Sequence, residues 1–270
     1  MPMPHDQAPT LSRSVVGSVV QAISVLRHLG AVDRPQGVTA ISRALGISTS
    51  SCFNILKTLV AEDLATFDPT SKAYGLGLGT VDLARLALGR DQVVEAAREA
   101  MSLFADRHDA AVGLWKPSRG DRLTLVALAE SEAATRIHLT VGQRQPVAAG
   151  ATGRAFLAAR NASDGEIEAA LRAVRWQQQP ELSTYIEEVR KARQKGWATD
   201  KDQIVRGVTN VAAPILSADG SVRFCVSASI FSGRETAQGV ERIGHGLRRM
   251  AHGIGNGTGG AADIQESDPR

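Results

Sequence analysis

The chain has 270 residues and is 43% hydrophobic, so it is long enough for two domains and can bury substantial cores. Its net charge of +3 at pH 7 does not by itself indicate a nucleic-acid binder, so any DNA contact must come from locally placed basic groups. The two cysteines, Cys52 and Cys225, form no CxxC pair and are expected to be small buried thiols. Because there is no signal peptide and no long apolar run, the sequence predicts a cytoplasmic protein without a membrane span.

A helix is predicted soon after a polar, flexible stretch at residues 1–12. Its apolar residues recur at three- and four-residue steps, which indicates one buried face. That face comprises Val16, Val19, Val20, Ile23, Leu26 and Leu29.

A short second helix is predicted over residues 39–45, with Thr39 as its N-cap. Its inward face comprises Ile41, Ala44 and Leu45. Gly46 ends the helix, because glycine adopts the left-handed conformation of a helix end at little cost.

A third helix is predicted from Thr49 to about Ala61, capped by Ser48. Its inner face comprises Cys52, Leu56, Leu59 and Val60. Its outer face comprises Ser50, Asn54, Lys57 and Ala61, which are small or able to hydrogen-bond. An outer face of this kind fits the major groove of DNA.

Two short strands are predicted at residues 64–67 and 72–76, on either side of the turn sequence Asp-Pro-Thr-Ser, and form a wing. A helix over residues 78–90 follows, and it is apolar over more than one face. Such a helix must bury its surface, and we expect a partner subunit to cover it.

The remainder is predicted to be mixed α/β, beginning with a helix marked by Val94, Ala97, Met101 and Phe104. Strands are predicted at 111–116, 122–129, 136–141, 208–215 and 222–230, with Ala-Asp-Gly at 218–220 as a hairpin turn. Helices are predicted at 150–160, 164–174, 183–195 and 237–254. Hairpins with intervening helices favour an antiparallel sheet with helices on its faces.

Two short helices joined by a glycine turn and followed by a hairpin are typical of a DNA-reading unit. Ser50 and Asn54 are expected to reach base edges, since an Asn amide matches the donor and acceptor of adenine. The cations Lys57 and Lys72, with Arg13 or Arg43, are expected to hold phosphates. The alternative is a helical hairpin of another fold whose polar face is only solvated.

The N-terminal motifs resemble the IclR family of bacterial regulators, named after the isocitrate lyase regulator. The first helix carries Ala22-Ile23-Ser24-Val25-Leu26, and the third begins with Gly46-Ile47-Ser48-Thr49-Ser50-Ser51. Ile55-Leu56-Lys57-Thr58-Leu59 follows, and Tyr74-Gly75-Leu76-Gly77 ends the wing. With the start of the third helix added to the residues named above, the predicted DNA-binding set is Arg13, Arg43, Ser48, Thr49, Ser50, Ser51, Asn54, Lys57 and Lys72.

The C-terminal motifs resemble the same family more specifically. Gly142 and Pro146 precede Gly153-Arg154-Ala155-Phe156-Leu157-Ala158, where the family has Gly-Lys-Ala-x-Leu-Ala. Arg193-Gln194-Lys195-Gly196-Trp197-Ala198-Thr199-Asp200 follows, then Gly207 and Ala213-Pro214. The resemblance covers residues 18–254 in order.

This resemblance implies an α+β protein: a winged helix-turn-helix domain at 13–77, a linker helix at 78–90, a GAF-like effector domain with an antiparallel sheet at 91–254, and a flexible tail at 255–270. It also implies a sequence-specific regulator that binds a palindromic operator as a homodimer or homotetramer. Its effector is expected to be a small organic carboxylate or aromatic metabolite.

The family's effector contacts fall on Ile137, Ala151, Thr152, Asp200, Val208, Asn210, Ser227 and Ser229. The residues themselves point the same way, because a helix beginning at Gly150 offers free N–H groups to an anion. Ser227 and Ser229 share one face of a strand, and Asn210 faces them if the hairpin closes at Asp219. The alternative is a tight strand-to-helix entry whose serines satisfy buried backbone groups.

Three departures from the family pattern are expected to matter. Asn54 and Gln21 stand where arginine is usual, which alters the operator sequence and removes a phosphate contact. Gln203 stands where glutamate is usual, and this affects the pocket or its supporting network. In addition, Asn210 stands where many members have cysteine.

The sequence allows two other functions. A GAF-like enzyme would need a catalytic pair, for which Asp200 and Ser227 are the candidates, and a ligand-independent DNA-binding protein would use its second domain only to oligomerise. No metal site, cofactor or catalytic residue is expected, because His245 and His252 lack ligand-spaced partners and no nucleotide fingerprint occurs. Trp115 and Phe224 are expected to be either an aromatic pocket wall or ordinary core.

Overall fold

A computed structural model of the chain describes residues 15–88, 92–132 and 137–257. The chain divides into two compact units, residues 1–87 and 88–270. Arg13, the predicted flexible N-terminus at 1–12 and most of the predicted tail at 255–270 lie outside the described residues. The finer boundaries, with a separate linker helix at 78–90, stay a prediction.

The N-terminal unit is a winged helix-turn-helix, as predicted. Its elements are α1 (Gly17–Ala31), α2 (Val38–Leu45), α3 (Thr49–Ala61), β1 (Ala65–Asp68), β2 (Ala73–Leu76) and α4 (Gly79–Leu88). The two strands pair in antiparallel fashion, from Ala65 opposite Leu76 to Asp68 opposite Ala73. The core between the helices contains Val25, Ile41, Cys52, Leu56 and Leu59, all of them buried.

The buried face of α1 differs from the predicted one. Leu29 is buried and Leu26 packs against the core, as predicted, and Val25 is also buried, whereas Val16, Val19, Val20 and Ile23 are between 42% and 61% exposed. The apolar residues recur at helical spacing, but most of them point away from the core of this unit. Val25 faces that core instead.

The start of α2 also differs from the prediction. Gly37 is its N-cap and no side chain caps it, so Thr39 does not serve as the cap. Ile41 is buried as expected, while Ala44 is exposed and Ser42 takes an inward position in its place.

The turn from α2 into α3 follows the sequence closely. Gly46 has φ +65°, and its N–H donates to the carbonyl oxygen of Ser42, which confirms the left-handed helix end. Ser48 caps α3, since its hydroxyl oxygen accepts from the N–H of Ser51 at 3.1 Å. The turn at Gly46 and the cap at Ser48 could be predicted from the sequence because each depends only on neighbouring residues.

The wing turn is organised by one carboxylate. The Asp68 side chain accepts from the N–H of Thr70 at 2.9 Å and from both the N–H and the hydroxyl of Ser71. The hydrogen bond from the Ser71 hydroxyl is the largest cause that lowers the pKa of Asp68, and the backbone N–H groups of Thr70 and Ser71 lower it further. Lys72 follows with φ +52°, at the exposed end of the wing.

The C-terminal unit is a six-stranded antiparallel sheet with helices on both faces, as predicted. Its helices are α5 (Gln92–His108), α6 (Gly150–Ala159), α7 (Asp164–Leu171), α8 (Leu182–Lys195) and α9 (Ala237–Gly255). Its strands are β3 (Ala111–Ser118), β4 (Arg122–Glu130), β5 (Arg144–Pro146), β6 (Ala198–Lys201), β7 (Val208–Leu216) and β8 (Val222–Phe231). They lie in the order β5-β4-β3-β8-β7-β6.

Two apolar cores cover the two faces of this sheet. On one face, α5 and α9 pack against the strands, with Phe104 and Leu247 buried among strand residues such as Phe224. On the other face, α6, α7 and α8 pack, with Phe156 and Tyr185 buried. Successive strand side chains point to opposite faces, so Phe224 and Cys225 belong to different cores.

The strand predicted at 136–141 is wrong. Residues 137–141 are not in a strand, and the sheet edge is instead β5, whose Arg144 pairs with Thr124 of β4. The alternation of Ile137 and Leu139 has another cause, because both side chains line a cavity. The short strand β6 was not predicted, since its four residues carry no clear apolar alternation.

Both cysteines are buried free thiols, as expected. Burial raises the pKa of both Cys52 and Cys225. Within the described ranges, no single helix is long and apolar enough to cross a bilayer; α2 and α3 reach that length and composition only together, bent by 114°.

Candidate functional site

The outer face of α3 is polar and open to solvent. Ser50, Asn54, Lys57 and Ala61 are all exposed, and so is Arg43 on α2. They are exposed because α3 turns Cys52, Leu56 and Leu59 into the core. The arrangement presents two base-contacting candidates and one cation along a single helix.

Three further residues of the predicted DNA-binding set hold the start of α3 in place. The Ser48 hydroxyl donates to the Ser51 hydroxyl at 2.8 Å, and the Ser48 and Ser50 hydroxyl oxygens lie 3.1 Å apart. Thr49 approaches Ser42 of α2, with 3.3 Å between their hydroxyl oxygens. Ser48, Thr49 and Ser51 therefore build the helix start, and Ser50 is exposed while it bonds to Ser48.

Phe53 also lies on this face, although it is not among the predicted DNA-binding residues. Its side chain is 49% exposed and lies between Ser50 and Lys57 along the helix. The helical spacing already placed it on the outer face, because it is three residues from Ser50 and four from Lys57.

A cavity of about 480 Å³ lies in the C-terminal unit, between the sheet, the first turn of α6 and two loops. Seven of the eight predicted effector residues line it: Ile137, Ala151, Thr152, Val208, Asn210, Ser227 and Ser229. A volume of this size suits a small organic molecule.

The first turn of α6 faces the cavity through Gly150, Ala151 and Thr152. Gly150 has φ +61°, and a side chain there would approach Ile204 to 3.2 Å, so both the backbone angle and the space require glycine. The first regular helical bond runs from Gly153 N–H to the Ala149 carbonyl, which leaves the preceding N–H groups without helical partners. These donors and the helix dipole favour a negative charge.

The polar wall of the cavity is built across three strands. Asn210 of β7 lies opposite Ser229 of β8, as the predicted hairpin requires. The Ser229 hydroxyl donates to Asn210 Oδ1 at 2.5 Å, and Trp115 Nε1 of β3 donates to Ser227 Oγ at 2.9 Å. Both serines are buried. The hydrogen bond that each serine makes therefore determines whether its hydroxyl can still donate to a ligand or only accept from it.

Asp200, the eighth predicted effector residue, lies behind the cavity wall. Only 2% of it is exposed; its carboxylate pairs with Arg154 Nη1 at 3.4 Å and accepts from Ile204 N–H at 3.4 Å. Burial raises the pKa of Asp200, and the positive charge of Arg154 offsets part of that rise. Asp200 lies opposite the cavity residue Asn210 in the pairing of β6 with β7, which links Asp200 indirectly to the cavity.

Arg154, which is not among the predicted effector residues, is the centre of the network behind the wall. It is 1% exposed; it donates to Glu188 of α8 at 2.8 Å and to Gln203, and its guanidinium lies 4.3 Å from the Tyr185 ring. Gln203 thus belongs to the network that supports the cavity. Of the two places where glutamine instead of glutamate was expected to matter, the pocket or its supporting network, the structure shows the second.

This network holds a loop that closes one side of the cavity. Ile204, Val205 and Arg206 line the cavity, and Arg154 contacts the residue immediately before them. Asp202 accepts from the N–H of Gly207 at 2.8 Å, which ties the loop ends together. Gly207, a residue of the family motif, lies at the end of this loop. The loop turns toward the cavity because of contacts with residues distant in the sequence, such as that between Arg154 and Gln203.

Trp115 and Phe224 do not form a shared aromatic wall. Trp115 lines the cavity, whereas Phe224 lies in the core on the opposite face of the sheet. The two residues belong to neighbouring strands, but their side chains leave those strands in opposite directions.

Comparison with known families identifies both units. The family model described as bacterial transcriptional regulator IclR C-terminal matches residues 85–256, and the IclR helix-turn-helix model matches residues 18–69. The chain belongs to the IclR family. The predicted resemblance is therefore confirmed for both halves of the chain.

Individual relatives agree over nearly the whole chain. The transcriptional repressor AllR of Escherichia coli K12 is 24% identical over 260 residues, which cover 94% of each protein. AllR of Salmonella typhi is 23% identical with the same coverage.

Solved structures share the fold. An IclR-type regulator from Alicyclobacillus acidocaldarius has a TM-score of 0.78 and 27% identity, and the match covers 90% of this chain and 98% of that one. A homologue from Microbacterium hydrocarbonoxydans, complexed with 4-hydroxybenzoate, has a TM-score of 0.72 and 20% identity, covering 93% and 100%. This IclR-family chain is a transcriptional regulator with a helix-turn-helix DNA-binding domain.

Proposed function

We propose that the effector is a small organic acid, bound in the C-terminal cavity with its carboxylate at the first turn of α6. The observation that carries this proposal is that seven residues predicted as effector contacts line one cavity at the start of a buried helix. The free N–H groups of that turn supply donors to a carboxylate. The homologue complexed with 4-hydroxybenzoate supports an acid of this class.

The serine hydroxyls specify the effector further. The Ser229 hydrogen is used on Asn210, so Ser229 offers the effector an acceptor only. Ser227 accepts from Trp115, so its own hydrogen is free to donate. Two serines two residues apart on one strand are separated by about 6.6 Å. An effector carrying a hydroxyl or amino group as well as the acid therefore fits this wall better than a plain acid.

The assigned DNA contacts follow from exposure and chemistry. Ser50 and Asn54 contact base edges, Lys57, Arg43 and the wing residue Lys72 contact phosphates, and Arg13 remains a phosphate candidate from the sequence alone. All of these residues except Arg13 are described, and each is exposed. Ser48, Thr49 and Ser51 contribute mainly by fixing the start of the recognition helix.

The regulator acts as a homo-oligomer in this proposal. The exposed stripe of α1 supports a subunit contact, and so do Leu83 and Leu86 of α4, which are 56% and 62% exposed. A symmetric dimer presents two recognition helices to successive major grooves of a palindromic operator. Pairing of dimers into a tetramer is compatible with the same arrangement.

Effector and operator are coupled through the chain that joins the two units. An effector changes DNA affinity only if it binds one arrangement of the oligomer better than another. We infer that binding at α6 and β8 alters the sheet and, through the helices at 79–88 and 92–108, the spacing of the recognition helices. AllR is named a repressor, which supports release from DNA as the effector response.

The C-terminal unit binds its ligand without converting it. The pair considered for catalysis is engaged elsewhere, since Asp200 bonds to Arg154 and Ile204 while Ser227 accepts from Trp115. A nucleophile needs a base within hydrogen-bonding reach. The cavity itself argues against a second domain that serves only for oligomerisation.

A fluorescence anisotropy titration tests the proposal. Full-length protein is titrated against DNA from its own upstream region with scrambled competitor, and then with matched pairs of organic acids with and without a hydroxyl group. We expect competitor-resistant binding, release by a hydroxy acid, and recovery of that acid unchanged by mass spectrometry. Equal binding to both DNAs contradicts sequence-specific regulation, and a converted acid contradicts the binding-only role.

A further inference from the structure

Phe53 is an unusual residue to find on the outer face of α3. Of the six phenylalanines in the chain it is the most exposed, at 49%, and three of the others, Phe104, Phe156 and Phe224, are at most 4% exposed. Aromatic residues make up 4% of the sequence, and half of the phenylalanines are used for cores. One of them therefore stands where α3 offers no core to fill.

The position of Phe53 is central to the face assigned to DNA. It is the fifth of the 13 residues of α3, one before Asn54, three after Ser50 and four before Lys57. Residues at these spacings are neighbours on a helix surface. The N-terminal part of a recognition helix is the part that contacts base edges. In addition, long helical side chains lean toward the N-terminus, which carries the ring toward that end.

A phenyl ring at this place has one matching feature in the major groove. It has no hydrogen-bond donor or acceptor, so it cannot read the polar edges of the bases. The 5-methyl group of thymine is the apolar group that the major groove displays. Phosphates and sugars provide no comparable contact, and their interactions carry no sequence information.

We propose that Phe53 is a specificity-determining residue that reads the methyl group of a thymine in each operator half-site. The inference rests on the DNA-binding function and adds a base preference that Asn54 and Ser50 do not provide. Asn54 selects for hydrogen-bonding atoms, and Phe53 selects for an apolar group beside them. Together they explain how a face with one cation still distinguishes sequences.

The test replaces thymine by deoxyuridine, which lacks only the methyl group. Operator sequences are first selected from random duplex DNA with the full-length protein, and each thymine of a half-site is then exchanged singly. We expect one thymine per half-site whose exchange weakens wild-type binding about fourfold, the effect of one methyl-sized apolar contact. The variant Phe53→Ala should bind both versions of that site equally.

Two further variants separate base reading from a general loss of binding. Phe53→Leu should keep a reduced preference for thymine, since it retains an apolar side chain. Lys57→Ala should weaken binding to both DNAs while keeping the wild-type ratio. Circular dichroism and size-exclusion chromatography confirm that each variant keeps its helix content and oligomeric state.

Several results overturn the inference. The assignment fails if no thymine exchange affects the wild type, or if Phe53→Ala keeps the wild-type preference. A change of oligomeric state in Phe53→Ala assigns the ring to a subunit contact instead. A selection that returns no consensus contradicts sequence-specific binding itself, and that failure is distinct from specific binding without methyl sensitivity.

Discussion

The recognition face of α3 and the effector cavity both depend on serine and asparagine side chains, but they fix those side chains in different ways. At the start of α3, the Ser48 and Ser51 hydroxyls bond to each other three residues apart, in solvent. In the cavity, Trp115 bonds to Ser227 over 112 residues, and Arg154 reaches Asp200 over 46. One polar site is local and exposed, and the other is long-range and buried.

This difference decides how each site tolerates change. An exposed hydroxyl that loses its partner bonds to water, whereas a buried polar group that loses its partner keeps the full cost of desolvation. Substitutions on the α3 face should therefore alter DNA binding with little effect on stability. Substitutions behind the cavity should alter stability and effector binding together.

The largest effect is expected from Arg154→Met. The substitution leaves Asp200 buried beside no cation, and breaking a buried pair in this way costs about 3–5 kcal/mol of unfolding free energy. Denaturant unfolding with and without effector measures both the loss of stability and the loss of ligand stabilisation.

A surface pair provides the matched control. Arg190 and Asp164 form an ion pair at 2.8 Å with side chains 55% and 59% exposed. Arg190→Met should cost at most about 1 kcal/mol. Equal losses for the two variants would show that the Arg154 network is no more important than a solvated pair, and the contrast between buried and exposed polar groups would be wrong.

An intermediate effect is expected from Ser229→Ala. Its hydroxyl donates to Asn210, and in the proposed site it is also the acceptor offered to the effector, so we expect about tenfold weaker effector binding, the effect of one hydrogen bond. DNA affinity without effector should be unchanged. Calorimetric titration measures the first quantity, and anisotropy the second.

Ser221→Ala is the control for this variant, because Ser221 is an exposed serine in the turn before β8. It should match the wild type in both measurements. If Ser229→Ala also matches the wild type with effector, the effector does not use this wall.

The same contrast explains which features the sequence could predict. Ser48 as the cap of α3, Gly46 as a left-handed turn and the Asn210–Ser229 register each depend on neighbouring residues or one hairpin. The arginine network behind the cavity depends on contacts among α6, α8 and β6, which no local pattern encodes.

The wrong predictions have physical causes of the same kind. Ile137 and Leu139 alternate because both side chains line the cavity. The apolar pattern typical of a strand therefore occurs here although the residues are not in a β-sheet. The stripe Val16, Val19, Val20 and Ile23 has the spacing of a core face, yet it is exposed in this unit. Sequence periodicity shows that a face is apolar, but the tertiary structure decides what covers it.

The smallest effect is expected from Lys57→Ala, which acts on exposed charge alone. Lys57 is on the exposed face of α3, so its removal should leave the unfolding free energy within about 0.5 kcal/mol of the wild type. Binding to operator and scrambled DNA should weaken by the same factor. The slope of log affinity against log salt should become shallower by about one, since one phosphate contact is lost.

Arg98→Ala separates the position of the charge from its amount. Arg98 is an exposed cation on α5, paired with Glu95 at 3.1 Å, and its removal changes the net charge equally. It should leave the salt slope at the wild-type value. A slope that shifts equally in both variants would assign the effect to the overall charge of the protein, and Lys57 would lose its role at a phosphate. A slope that shifts in Lys57→Ala alone would show that even the weakest contact of the exposed site acts at a defined position.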